Sequence, residues 1–269
     1  MNLREFHLLH MSARKHFSIM KIVHLLLILS NLILSDTLKI YLYTPSLNTN
    51  NFKSIKVNFD AYLSAYGDYE LQPFNERETF EDYVKKGNAV VLLSSWHYYE
   101  IANKYHLQAQ LVAQKNGHIT DKMLLIGQHE TPLKGIVTSA YNNTFTKEML
   151  NSIAHATKLS VLRVPKEIDA LMSVGFGMSK FALVSQESFF LLQTINPALT
   201  QDMNIYFESK PQYRMFLATN DMNKDTENLI TIFKEMDQSE DGRRILNMIG
   251  MDKLLPFEPS SHDEKELKK

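Results

Sequence analysis

Phe80-Glu-Asp-Tyr-Val-Lys-Lys-Gly-Asn-Ala-Val-Val-Leu-Leu-Ser-Ser-Trp-His-Tyr-Tyr99 is the stretch that decides the fold. Phe80, Tyr83 and Val84 share one face of an amphipathic helix over Thr79 to Lys86, and Gly87 closes it. Ala89 to Leu93 is then a continuous apolar run of strand length, the pattern of a strand buried on both faces of a sheet. Ser94 to Tyr99 follows at the strand's carboxyl end, where open α/β sheets hold their ligands. A helix–glycine–buried strand–polar turn sequence of this kind belongs to an α/β protein.

The same rhythm recurs downstream. A helix opening at Pro165 and running to about Val174 precedes Gly175 and Gly177. Phe181 to Val184 is a second buried-type strand, followed by Ser185-Gln-Glu-Ser188 and an apolar helix to Ile195. Further strands are expected at Leu38–Tyr43, Tyr69–Pro73, Gln108–Ala113, Lys122–Ile126, Gly135–Ser139, Leu159–Val164, Met203–Phe207 and Arg214–Ala218. Helices are expected at Phe59–Tyr66, Tyr98–Tyr105, Lys147 to about Ala156 with Thr146 as N-cap, Asp225–Met236 and Ser239–Ile249 with Gly250 beyond it. Alternating strands and helices predict mostly parallel sheets covered on both faces, and two repeats of the rhythm predict two lobes. The expected partition is lobe 1 over about 36–132 and 212–257, and lobe 2 over about 133–211.

The ends read differently. Ile22 to Leu34 is an apolar run behind Arg14, Lys15 and Lys21, with the small Ser35 before Asp36. That is the pattern of an exported protein's signal peptide over 1–35, with Met20 as an alternative start and an uncleaved anchor as the competing reading. Residues 258–269 are polar and charged, a tail rather than a fold element. The chain has no cysteine, which excludes disulfides, thiolate nucleophiles and a lipid-anchoring cysteine. A formal net charge of −1 gives no field for nucleic acid or an anionic membrane.

The ordered segments resemble the periplasmic solute-binding proteins of the phosphonate/phosphate ABC-transporter type. Leu38 to Pro45 looks like that family's first strand, and Phe80 to Leu93 like its helix, glycine and cleft strand. Met178 to Val184 resembles the equivalent second-lobe strand, Pro211 to Thr219 the return crossover, and Asp241 to Gly250 the C-terminal helix. The resemblance covers about Leu38 to Phe257. It implies a type 2 periplasmic binding fold: two α/β lobes with a ligand cleft between them, and no catalysis. It also implies a small polar or anionic ligand and an ABC permease or a membrane sensor as partner. A monomer without cofactor or metal is expected. One departure stands out. Where the family holds its anion on a Ser/Thr/Gly-rich turn, this chain has Thr138-Ser-Ala-Tyr-Asn-Asn-Thr-Phe-Thr146, with hydroxyls and amides but no glycine.

The strand-end rule selects the candidate ligand-binding residues: Tyr43, Ser46, Ser94, Ser95, Trp96, Tyr98, Ser139, Tyr141, Asn143, Thr144, Ser185 and Glu187. Trp96, the only tryptophan, with its neighbouring hydroxyls and tyrosines, suits the wall of a small-molecule cleft, or equally a core. Ser185 suits a ligand or a helix N-cap. The histidines lack metal-ligand spacing, Gly175-Phe-Gly177 lacks the third glycine of a dinucleotide loop, and no phosphate loop or nucleophile elbow occurs. An enzyme on the same two-lobed fold is the alternative, with His97 and Glu187 as its titratable groups. A purely structural exported protein is the third reading.

Overall fold

The computed structural model describes residues 37–44, 52–88, 90–129, 132–152 and 158–259. The expected signal segment, Ser46 and residues 260–269 of the tail lie outside the described residues.

Two sheets organise the chain. The first contains β1 (Leu38–Tyr43), β2 (Tyr69–Pro73), β3 (Val90–Ser94), β4 (Gln108–Gln114), β12 (Met215–Thr219) and β13 (Lys253–Pro256), in the order β13-β4-β12-β3-β1-β2. The second contains β6 (Met123–Gln128), β7 (Gly135–Ser139), β8 (Leu159–Arg163), β9 (Phe181–Ser185) and β10 (Met203–Glu208), in the order β10-β6-β9-β7-β8. Between them in sequence lie β5 (Thr120–Asp121) and β11 (Gln212–Tyr213), which pair with each other as a short antiparallel ribbon. This is the two-lobed α/β fold that the sequence implies.

The sheets are mixed, not mostly parallel as expected. β1 pairs parallel with β2 and β3, and β7 parallel with β8 and β9. β12 and β6 run antiparallel to their neighbours. The reason is topological: β6 enters lobe 2 and β12 re-enters lobe 1 directly from the ribbon, without a crossover helix to reverse them. The same entry corrects the lobe boundary. Met123–Gln128 hydrogen-bonds within the second sheet, between β9 and β10, so the chain has already left lobe 1 well before residue 132.

Strand alternation explains the packing. Ile40, Leu42, Val90, Leu92 and Leu217 face one way, onto Phe59, Phe233 and Leu246. Tyr41, Tyr43, Val91, Leu93 and Phe216 face the other, onto Phe80, Tyr98 and Ile101. The second sheet repeats this, with Leu125 and Leu183 on one side and Leu124, Ile126, Ala182 and Val184 on the other. Each such fully buried aliphatic side chain contributes about 1.5–3 kcal/mol, which is why the apolar runs in the sequence are the two-faced strands.

The flanking helices are α1 (Phe52–Leu63), α2 (Arg77–Val84), α3 (Ser95–Tyr105), α4 (Asn143–Asn151), α5 (Glu167–Gly175), α6 (Gln186–Ile195), α7 (Pro197–Thr200), α8 (Lys224–Glu235) and α9 (Glu240–Met248). Three starts differ from expectation, the first being α1, which begins at Phe52 and not at Phe59. α3 begins directly after β3, so the Ser94–Tyr99 turn is a helix N-terminus. α4 begins at Asn143 and is capped by Asn142, whose Oδ1 accepts from Phe145 N at 2.6 Å, so Thr146 sits inside the helix. In α9, a Cβ on Gly242 would fall 1.8 Å from the Met236 carbonyl oxygen, so only glycine fits beneath the preceding turn.

Candidate functional site

A cavity of about 220 Å³ lies between the two sheets, lined from both lobes and from the ribbon. Lobe 1 contributes Thr44, Ser94, Ser95 and Trp96 from the carboxyl ends of β1 and β3. Lobe 2 contributes Tyr141, Glu167, Ser185, Glu187 and Ser188. The ribbon contributes Asp121, Gln212 and Tyr213, with Arg214 just beyond it.

The lobe 1 side is neutral. Ser94 ends β3 with extended backbone but makes no side-chain cap on α3. Its hydroxyl instead meets Thr44 Oγ1 at 3.1 Å. Ser95 anchors the same corner to the return strand: its N–H donates to Arg214 O at 3.0 Å and its hydroxyl to Tyr213 O. Trp96 then crosses the cleft. It packs with the lobe 2 cluster around Leu125, Val137 and Phe181, edge-on to Tyr141 with ring centroids 5.5 Å apart. Its indole N–H is buried and has no hydrogen-bond partner among the described residues.

Behind Trp96 sits His97, fully buried and stacked on it at 5.1 Å. His97 Nε2 meets Glu81 Oε1 at 3.0 Å, while Nδ1 has no partner. The contact requires the tautomer protonated on Nε2, which donates to the carboxylate. Burial holds the His97 pKa below its usual value, against the opposing pull of Glu81. Burial pushes Glu81 up, but hydrogen bonds from His97 and Arg77 and the Arg77 charge outweigh it and lower its pKa to about 2. Arg77 also bonds Glu100 at 2.6 Å, and Glu100 accepts from Asn142 of lobe 2. Arg163 reaches Glu78 at 3.5 Å. These contacts and Trp96 hold the lobes together across the cleft.

The lobe 2 side is acidic. Glu167, in the first turn of α5, is 2% exposed. It accepts from the Tyr141 hydroxyl, from Ser185 N at 3.0 Å and from the Ser185 hydroxyl at 2.5 Å. Burial, reinforced by the Glu167 charge, drives the Tyr141 phenol well above its usual pKa. Ser185 Oγ also accepts from Ser188 N at 3.2 Å, capping α6. Arg214 pairs with Glu187 and lies 3.8 Å from Asp121. Burial raises the Asp121 carboxyl, opposed by the Lys122 N–H and by Arg214 and reinforced by Glu187 and Glu167.

Of the residues selected from sequence, Ser94, Ser95, Trp96, Tyr141, Ser185 and Glu187 line this cavity. Tyr43 does not: it is packed against Phe80 and His97 in the core of lobe 1. Tyr98 is likewise core, its hydroxyl accepting from Ala109 N at 3.1 Å. Ser139 is fully buried and bonds Thr146 Oγ1 at 3.0 Å, bracing the turn before α4. Asn143 is exposed at the start of α4. Thr144 falls in α4, and its side chain, like Ser46, lies outside the described residues. Thr44, Asp121, Glu167, Gln212, Tyr213 and Arg214 were not selected. Thr44 directly follows a strand and was within reach of the strand-end rule. The ribbon residues carry no periodic signal, because two-residue strands are too short to show one. No group of His, Asp or Glu among the described residues is arranged to hold a metal ion.

The fold is that of the periplasmic binding proteins. Three solved structures illustrate it at low identity. PhnD1 from Prochlorococcus marinus, in complex with methylphosphonate, superposes with a TM-score of 0.70 at 12% identity, covering 86% of this chain and 95% of that one. The binding-protein component of an ABC phosphonate transporter from Pseudomonas aeruginosa gives 0.66 at 12% identity, covering 82% and 81%. A Xanthomonas citri protein, XAC2383 bound to chloride ion, gives 0.68 at 12% identity over 86% and 94%. No protein-family model and no curated protein matches the sequence. The resemblance read from the sequence thus holds as a resemblance of fold.

Proposed function

We propose that this is an exported solute-binding protein that captures a small polar solute between its lobes and presents it to an ABC permease or a membrane sensor. The observation that carries this is the cavity's composition: every wall comes from a different part of the fold, and the strands that connect the lobes form one of them. A solute there touches both lobes at once, so binding favours the conformation in which they meet. Likeness in fold to binding-protein components of phosphonate transport supports the same reading. No helix among the described residues is long and apolar enough to cross a membrane. The hydroxyls and carboxylates of the cavity bond mainly to one another, and His97 lies behind Trp96 in the core, so nothing in it has the arrangement of a nucleophile with a free base.

The test is a thermal-unfolding screen of the purified full chain against small solutes. A ligand specific to the folded state raises the midpoint by mass action. We expect at least one solute to do so, and expect Ser95→Ala to reduce the shift. A folded protein, free of co-purified solute, that answers to no compound refutes the proposal.

A further inference from the structure

Taking the cavity as the solute site, we infer that its ligand carries an ammonium group, primary or methylated, beside an acceptor oxygen, and is not a simple anion. The lining holds three carboxylates, Asp121, Glu167 and Glu187, against one cation, Arg214. Arg214 is already committed to Glu187 and stands near Asp121. An anion entering here meets unfavourable charge, while a cation relieves the repulsion among the carboxylates.

The positions where this fold offers N–H groups to an anion tell the same story in lobe 2. Helix N-termini attract negative charge. At α6 that place is taken by the protein's own Glu167, held by the N–H and hydroxyl of Ser185. At α4 it is taken by the side chain of Asn142. The lobe 2 face therefore supplies its own acceptors, a carboxylate at α6 and an amide oxygen at α4.

Two further features define the ligand. Tyr213, which is only partly buried, lines the same cavity beside Trp96 and Tyr141, and an aromatic face attracts a cation. The indole N–H of Trp96, a residue 9% exposed, has no partner, and a buried donor in a ligand site calls for an acceptor. Asp121, Glu167 and Glu187 are not arranged to converge on a metal ion, and the aromatic lining suits an organic cation.

The experiment uses the full chain, with ethanolamine, choline and putrescine as cationic probes, and methylphosphonate and inorganic phosphate as anionic ones. Thermal midpoint and tryptophan fluorescence are read together, since Trp96 is the chain's only tryptophan. We expect a cationic probe to raise the midpoint and change the Trp96 emission, with ethanolamine or choline ahead of putrescine. Asp121→Asn and Glu187→Gln, both at partly exposed positions, should each weaken that probe by about tenfold, the scale of one charge-assisted hydrogen bond. Response to an anion alone overturns the ligand class and leaves the solute-binding reading standing. A cationic response untouched by both substitutions also overturns the class. Silence toward every probe overturns the ligand class, and the wider solute screen then decides the solute-binding reading.

Discussion

Ser94 and Ser185 occupy equivalent corners of the two lobes and do different work. Each ends a central strand and starts a helix, with nearly the same backbone: φ −61°, ψ 148° at Ser94 and φ −68°, ψ 150° at Ser185. Ser185 caps its helix and binds Glu167. Ser94 caps nothing and shares its hydroxyl with Thr44. The backbone at these corners is fixed by the strand-to-helix turn. The chemistry is set by whether a buried carboxylate lies opposite. The hydroxyls of both corners bond within the protein, those of lobe 1 to neutral groups and that of Ser185 to a carboxylate, while the buried indole N–H of Trp96 has no partner among the described residues.

The largest effect should come from the residue that ties these corners together. Trp96→Ala removes a lobe 1 side chain from the core of lobe 2 and should cost about 3–5 kcal/mol, as buried aromatic truncations do. Equilibrium unfolding in urea measures it. A loss below 1 kcal/mol would mean that the lobes do not depend on this insertion.

Next comes Glu167→Gln. The amide preserves shape but presents only one acceptor, so either Tyr141 or Ser185 loses its partner. A loss of about 1–3 kcal/mol is expected. Stability unchanged by the substitution would show that the carboxylate does not organise the lobe 2 corner.

Acid titration probes the lobe 1 side without mutation. Behind lobe 1, His97 is held neutral, its folded pKa below its usual 6.5. Its contribution is complete above pH 6.5 and is lost as the pH falls below that value, because the unfolded chain takes the proton first. Glu81, at about 2 against an ordinary 4.5, adds stability above pH 4.5 that disappears between 4.5 and 2. Unfolding midpoints should therefore decline in two steps on acidification, and His97→Gln should erase the step that begins near pH 6.5. A single decline in the wild type would contradict this.

The smallest effects address the comparison most directly. Ser185→Ala should cost about 1 kcal/mol through loss of the cap, and Ser94→Ala no more than about 0.5 kcal/mol. Equal losses, measured by chemical denaturation, would abolish the distinction between the two corners.

Much of this was legible in advance because apolar runs report burial directly. Val90–Leu93 and Phe181–Val184 read as two-faced strands, and Ser185 read as a possible cap. Tyr43 and Tyr98 misled because a strand-end or helical tyrosine looks the same whether it faces a cleft or a core. The deciding factor for Tyr43 was Phe80 and His97 behind it, contacts made across elements. Glu167 was hidden for the opposite reason: an acidic residue in the first turn of a helix is ordinary, and only the fold brings Tyr141 and Ser185 onto it. Asp121 and Arg214 flank connections whose importance is purely spatial.

Asp121, Gln212 and Tyr213 form the ribbon through which the chain passes between lobes, and they also line the cavity. On the proposed function, a substitution in this ribbon would touch the solute site and the connection between the lobes at once, so the two could not be altered independently there.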